Sequence, residues 1–220
     1  SVDTSRYGNL GNYLIQLFRR GSKQTSKDKN FHAISNISFN VKKGESVGLI
    51  GKNGSGKSTL IKILAGVLSH QSGSIRLHVN HQHIEREYIP LQIGLVAPYL
   101  TVYEEFTPIE HFKVYCEMSG LIYDESHALE LLDIMGLLSH REKRIGTFST
   151  GMKQRLKYAL ALIRKPIILL LDEPSTNFDI KGQQLFKEIV QKQKELGGGT
   201  IIATNELAET ILCDTIISLS

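Results

Sequence analysis

The sequence predicts an α/β fold in which a mainly parallel sheet is covered by helices, and three observations carry that expectation. The apolar run Val47-Gly48-Leu49-Ile50 enters GKNGSGKST at residues 51–59 and continues into LIKILAGVL, the order of a strand, a glycine-rich turn and a helix. Residues 167–171 are continuously apolar, as a parallel strand buried on both faces must be, and they end in Asp172-Glu173. TIIATNE and DTIISL add short apolar runs after a helical stretch that stops at Gly197-Gly198-Gly199.

With 220 residues, 41% apolar and 22% charged, the chain has material for one large α/β domain with an inserted subdomain. Its net charge of +4 is modest, and much of it lies in Arg19, Arg20, Lys23, Lys27 and Lys29, which argues against a nucleic-acid-binding face over the whole domain. Cys116 and Cys213 lie far apart and form no C-x-x-C, so neither a disulfide framework nor a zinc site is indicated, and a reducing, cytoplasmic compartment is expected. The longest apolar run is far short of the ~20 residues that span a bilayer, and no signal peptide is visible, so a membrane role is expected to run through a partner.

Taken in order, residues 1–30 differ in texture from the rest. Leu10, Tyr13, Leu14, Leu17 and Phe18 recur at helical spacing before a basic linker. That helix either packs on its own domain or rests on lipid headgroups or a membrane partner. From Phe31, AISNISFNV reads as a strand, Lys42-Lys43-Gly44-Glu45 as a turn, and SVGLI as the strand entering the glycine-rich loop. A helix over residues 57–68 follows, then SIRLHV as an alternating strand. His78, His81 and His83 lie in a polar hairpin without Cys or paired carboxylates at ligand spacing, which reads as a solvated turn rather than a metal site. QIGLV is a further strand. Residues 103–165 are dense in helical periodicity, in EEFTPIEHFKVYCEM, ESHALELLDIMGLL and a segment opening at Ser149, so a helical block is inserted between strands. A helix over residues 183–196 precedes the last two strands.

The glycine-rich loop carries the first chemistry. Gly51, Gly56, Lys57 and Ser58 fit G-x-x-x-x-G-K-[ST], and a chance fit in a chain of this length has a probability on the order of 1%. Backbone N–H groups surround a triphosphate only where no Cβ blocks them, which Gly51, Gly54 and Gly56 provide. The next helix turns its unpaired N–H groups and positive dipole end towards the phosphates. Lys57 supplies a mobile charge, and the Ser58 hydroxyl is placed to ligate Mg²⁺. Asp172, at the carboxyl edge of the sheet, is placed for the Mg²⁺ shell, and Glu173 for the water that attacks the γ-phosphate. Ser149 reads as a helix N-cap and Gly151 as a point of close backbone approach, a second anion-binding helix start. One ATP cannot easily use both starts within one subunit, which favours a head-to-tail sandwich.

GKNGSGKST, FSTGMKQR (148–155), IILLLDEP and STNFD (175–179) resemble, in this order, the Walker A, signature, Walker B and D-loop motifs of ATP-binding-cassette (ABC) transporter ATPases. The resemblance covers about 190 residues, from Phe31 onward. It implies an α/β P-loop NTPase (RecA-like) core at 31–95 and 166–220, with an N-terminal antiparallel β subdomain and an inserted α-helical subdomain at 96–165; residues 1–30 are an extension. It implies ATP and Mg²⁺ as cofactors and a homodimer in which each ATP lies between the loop of one subunit and the signature of the other. The site residues carried over are Gly51, Asn53, Gly54, Ser55, Gly56, Lys57, Ser58 and Thr59 for the phosphates, Ser58 and Asp172 for the metal, and Lys57, Glu173 and Asn205 for hydrolysis. Ser149, Gly151 and Asp179 follow from the signature and D-loop. Phe31 stands nearest the family's adenine-stacking aromatic, ahead of Tyr13 and Tyr7, and reads equally as a core aromatic.

Three departures stand out. The second signature glycine is Thr150 and the following Gln is Met152. The loop that carries a metal-contacting Gln in the family reads Val96-Ala97-Pro98-Tyr99, with Glu104 or Glu105 as the nearest replacements. The switch His is Asn205, which donates a hydrogen bond but carries no proton near neutral pH. Binding and closure are therefore expected to be retained and hydrolysis to be slower, or differently coupled, than with His. Without a second cassette, coiled coil or membrane span, the chain is expected to be a peripheral ATPase subunit docked on a separate permease at the cytoplasmic face of the membrane, with no nucleic-acid partner. FSTGMKQR, APYLTVYEEFT and ATNE resemble haem-exporter subunits, whereas FHAISNISFNVKKGE and the amphipathic opening resemble polysaccharide and teichoic-acid exporter subunits. The alternatives are a non-transport ABC ATPase acting on DNA or ribosomes, and an unrelated phosphate-loop kinase.

Overall fold

The computed structural model describes residue 34 and residues 37–176 and 178–219; the helix expected within residues 1–30 and the adenine candidates Phe31, Tyr13 and Tyr7 lie outside them. Five parallel strands form one sheet in the order β4-β5-β6-β1-β7, with β1 at Ser46–Ile50, β4 at Ile93–Val96, β5 at Ile168–Asp172, β6 at Gly199–Thr204 and β7 at Thr215–Ser218. β6 is buried at all six positions and β5 at its last four, as the unbroken apolar runs require of strands covered on both faces.

The alternation within β5 separates the two layers. Leu170 faces one cluster with Leu60 and Ile61 of α1 (Lys57–Leu64) and with Val47 and Leu49. Leu169 and Leu171 face the other, which runs through α5 (Ile180–Glu195) and into the helical block of α2 (Pro108–Met118), α3 (Glu125–Ile134) and α4 (Thr150–Leu162). Phe112, Leu132, Met135 and Leu156 anchor that block, and Tyr158 is fully buried at its junction with the sheet. α4 therefore belongs to both, its cap Ser149 and first residue Thr150 exposed and its later turns packed on the core.

Helix boundaries follow local chemistry. α2 begins at Pro108 rather than at Glu104, because Thr107 and Glu110 form a capping box, with Glu110 N–H on Thr107 Oγ1 at 3.2 Å and Thr107 N–H on Glu110 Oε2 at 2.8 Å. α5 begins three residues earlier than its periodicity predicts, where Asp179 Oδ1 accepts the Gly182 N–H at 2.8 Å. α1 stops at Leu64, earlier than expected, and Gly66 turns the chain at φ 74°.

The N-terminal β layer is smaller than expected. Residues 37–42 form no strand, and of SIRLHV only β2 (Leu77–Val79) pairs, with β3 (Gln82–Ile84) in an antiparallel hairpin. Asn80 and His81 turn it at φ 49° and 66°, so the histidine-rich stretch is the exposed hairpin the sequence predicts.

Candidate nucleotide-binding site

The strand order brings three loops together at the carboxyl edge of the sheet. β6 lies between β1 and β5, so the residue after β6 stands between the loop leaving β1 and the acids ending β5. Asn205 joins them: its Nδ2 donates to Asn53 Oδ1 at 2.6 Å and to Glu173 Oε1 at 3.3 Å.

The loop from Gly51 to Gly56 depends on missing side chains. A Cβ on Gly51 would lie 2.4 Å from Ser55 Oγ and 2.5 Å from the Leu219 carbonyl, a backbone atom with no room to retreat. Gly54 (φ 87°) faces open space, and Gly56 (φ 94°) is the N-cap of α1 and makes no side-chain cap. The start of α1 is thus left for an anion rather than closed by a Ser or Asp. Lys57 is 5% exposed, and its ammonium donates to the carbonyls of Gly51 at 2.6 Å and Lys52 at 3.1 Å, curling over the concavity.

Asp172 is 1% exposed; its Oδ1 has no partner, while the Ser58 hydroxyl bonds its carboxylate. Burial pushes its carboxyl above the usual range and Glu173 adds to this, against the opposing pull of Ser58, Lys62 and Lys57. A buried, half-satisfied carboxylate beside a hydroxyl is a donor pair suited to a hard divalent cation, and with an open cradle for phosphate the residues fit Mg²⁺–ATP. Among the described residues no group of three or more His, Cys, Asp or Glu is placed to hold a metal ion by itself. Glu173 adopts a left-handed backbone at φ 47°, and its N–H donates to the Ala203 carbonyl at 2.8 Å.

The remaining expected residues stand apart. Ser149 is exposed and caps α4, accepting the Met152 N–H at 3.2 Å, with Gly151 in the first turn. No hydrogen bond joins Ser149, Gly151 or Asp179 to the phosphate loop, and Asp179 is occupied as the cap of α5. Glu104 pairs with Lys153, and Glu105 with Arg144 at 3.3 Å, so both acids are engaged by the helical block rather than standing in for the absent Gln. Sequence reasoning missed Tyr99: Lys62 lies 4.3 Å above its ring, and burial together with the charge of Asp172 pushes its phenol up. Its place in APY, where the Gln was sought, was the available signal.

A family model described as "ABC transporter" matches residues 34–176, well over half of the chain. The chain belongs to the ABC transporter ATP-binding family. The linearmycin resistance ATP-binding protein LnrL of Bacillus subtilis is 36% identical over 187 residues, covering 83% of this chain and 60% of its own length. The lantibiotic transport ATP-binding protein SrtF of Streptococcus pyogenes is 36% identical over 176 residues, covering 80% and 75%. The chain spans 60% and 62% of the length of LnrL and of YdbJ, a second Bacillus subtilis ABC transporter ATP-binding protein. Among solved structures, an ATP-binding subunit of an ABC transporter superposes with a TM-score of 0.73 at 30% identity, over 85% of this chain and 79% of that one. The dimeric post-hydrolysis cassette MJ0796 bound to ADP and Pi superposes with a TM-score of 0.75 at 23% identity, over 90% and 91%, which supports the fold alone. This ABC chain has, among its described residues, no helix long and apolar enough to cross a membrane.

Proposed function

We propose that this chain is the ATP-binding and ATP-hydrolysing part of an ABC exporter, working as a head-to-tail homodimer on a separate permease at the cytoplasmic face of the membrane. The convergence of Asn53, Glu173 and Asn205 beside the phosphate loop is the observation that carries this reading. Within the domain at 31–220, residues 96–165 serve as the helical subdomain, and residues 1–30 are an extension.

In this reading Gly51, Gly54 and Gly56 let the backbone approach the phosphates, with Asn53, Ser55 and Thr59 completing the cradle. Lys57 exchanges its two carbonyl partners for phosphate oxygens. Ser58 and Asp172 hold Mg²⁺, which when bound neutralises phosphate charge. Glu173 orients the attacking water, and Asn205 holds the carboxylate that does so. The exposed Ser149 cap and the N–H of Gly151 meet the γ-phosphate held by the partner subunit, so closure depends on that phosphate. Asp179 acts by fixing the start of α5 beside the dimer seam.

The relatives named for linearmycin resistance and lantibiotic transport support export of an antimicrobial compound. They give less support to the polysaccharide or teichoic-acid and haem readings of the motifs. The test is steady-state hydrolysis by the wild type and Glu173→Gln. Turnover should fall on the order of 10²-fold in the variant with ATP binding retained, and an unchanged rate would refute the assignment.

A further inference from the structure

One peptide group beside the site is gripped at both of its polar ends. The Pro174–Ser175 peptide begins one residue after Glu173. Its carbonyl accepts the Tyr158 hydroxyl at 3.1 Å and Gln154 Nε2 at 3.4 Å. Its N–H donates to Glu209 Oε1 at 3.2 Å. The three gripping side chains are 0%, 5% and 6% exposed, and Glu209 keeps its second oxygen buried without a partner. Burying polar groups so deeply costs stability, which calls for a return other than packing.

Glu173 supplies the need for such a device. A left-handed backbone at a non-glycine residue is strained and persists only where the surroundings over-determine it. Here the Glu173 N–H is tied to the Ala203 carbonyl at 2.8 Å, and its own carbonyl accepts the Thr176 N–H at 3.3 Å. The gripped peptide fixes the chain just downstream. The Tyr158 ring stacks on Phe178 with centroids 5.7 Å apart, and Gly182 makes room for that ring, since a Cβ there would fall 2.7 Å from it.

We propose that Tyr158 and Glu209 are positioning residues for hydrolysis: by holding the Pro174–Ser175 peptide from both ends, they keep Glu173 in its left-handed conformation and its carboxylate within reach of Asn205. The proposal rests on the reading of Glu173 as the water-orienting carboxylate. Neither residue touches nucleotide in this arrangement. Tyr158 stands on α4, which opens at Ser149, and Glu209 on the 3₁₀ turn Leu207–Leu212, which follows Asn205. The clamp therefore ties the carboxylate to both elements.

The test measures kcat, KM for ATP and Tm for the wild type, Tyr158→Phe, Glu209→Ala, Glu209→Gln and Glu173→Gln. Tyr158→Phe keeps the stacked ring and loses only the hydroxyl; it and Glu209→Ala should lower kcat on the order of tenfold, with KM within about twofold. Glu209→Gln retains an oxygen for the Ser175 N–H and should recover kcat relative to Glu209→Ala. A Tyr158→Phe rate equal to wild type, Glu209→Gln as slow as Glu209→Ala, or a KM that rises in step with the fall in kcat would each overturn the proposal. If Glu173→Gln leaves turnover intact, the underlying reading fails and the proposal falls with it. If Glu173→Gln abolishes turnover while Tyr158→Phe is unaffected, the proposal alone fails.

Discussion

Replacing Asn205 by alanine removes the only side-chain bridge between the phosphate loop and Glu173 among the described residues. Two hydrogen bonds disappear, one of 2.6 Å to the Asn53 amide and one of 3.3 Å to the Glu173 carboxylate. The carboxylate bond belongs to the class worth about 1.5–3 kcal/mol, but it is long and exposed, so the lower end applies. A loss of about 1.4 kcal/mol from transition-state stabilisation is tenfold in rate. Turnover of Asn205→Ala should therefore fall about tenfold, while ATP affinity, read with a fluorescent nucleotide, changes little because Lys57 and the glycine loop are intact. Asn205→His should move the other way: an imidazole reaches the same region, carries a proton near neutral pH and raises turnover above wild type. Steady-state phosphate release measures both. An alanine variant within twofold of wild type, or a histidine variant slower than wild type, would refute the reasoning.

Gly51→Ala should abolish ATP binding in equilibrium dialysis while leaving a folded protein, because its Cβ collides with the Leu219 carbonyl and Ser55 Oγ at 2.5 and 2.4 Å. Asp172→Asn should raise the Tm of the nucleotide-free protein by relieving a buried carboxylate with an unpartnered oxygen, and should abolish the extra stabilisation by Mg²⁺–ATP over ATP alone. His111 is 4% exposed among Tyr103 and Phe106, its Nε2 is unpartnered, and burial lowers it from 6.5 to about 4. Because its folded value is depressed, it contributes stability that is present above 6.5 and lost as pH falls towards 4. Tm measured across that window should decline in the wild type and decline less in His111→Leu.

Much of this site was legible in the sequence because its pieces are local. A glycine loop between a strand and a helix, acids ending an apolar run, and a serine opening a helix each announce their geometry within ten residues. The strand order that sets Asn205 between Asn53 and Glu173 is long-range, and no local pattern states it. What the sequence did not disclose depends on single contacts across the fold. Glu104 and Glu105 looked available for the metal, but Lys153 and Arg144 lie within reach and hold them. Nothing local in the sequence says that Tyr158 and Glu209, 51 residues apart, meet one peptide. The strand expected over AISNISFNV is absent at residues 37–41, although Ile37, Phe39 and Val41 still pack on the core, so apolar alternation there reports burial rather than sheet pairing.

The head-to-tail arrangement is tested most directly by mixing two inactive variants. Lys57→Ala disables the phosphate loop, and Gly151→Asp sets a negative charge at the start of α4, where it favours the helix but repels a γ-phosphate. In a mixed dimer one composite site carries both lesions and the other carries none. Equal mixing should restore roughly a quarter of wild-type turnover, since half of the dimers are mixed and each has one intact site of two. A mixture as inactive as either variant alone would contradict the sandwich and place all hydrolysis within a single subunit.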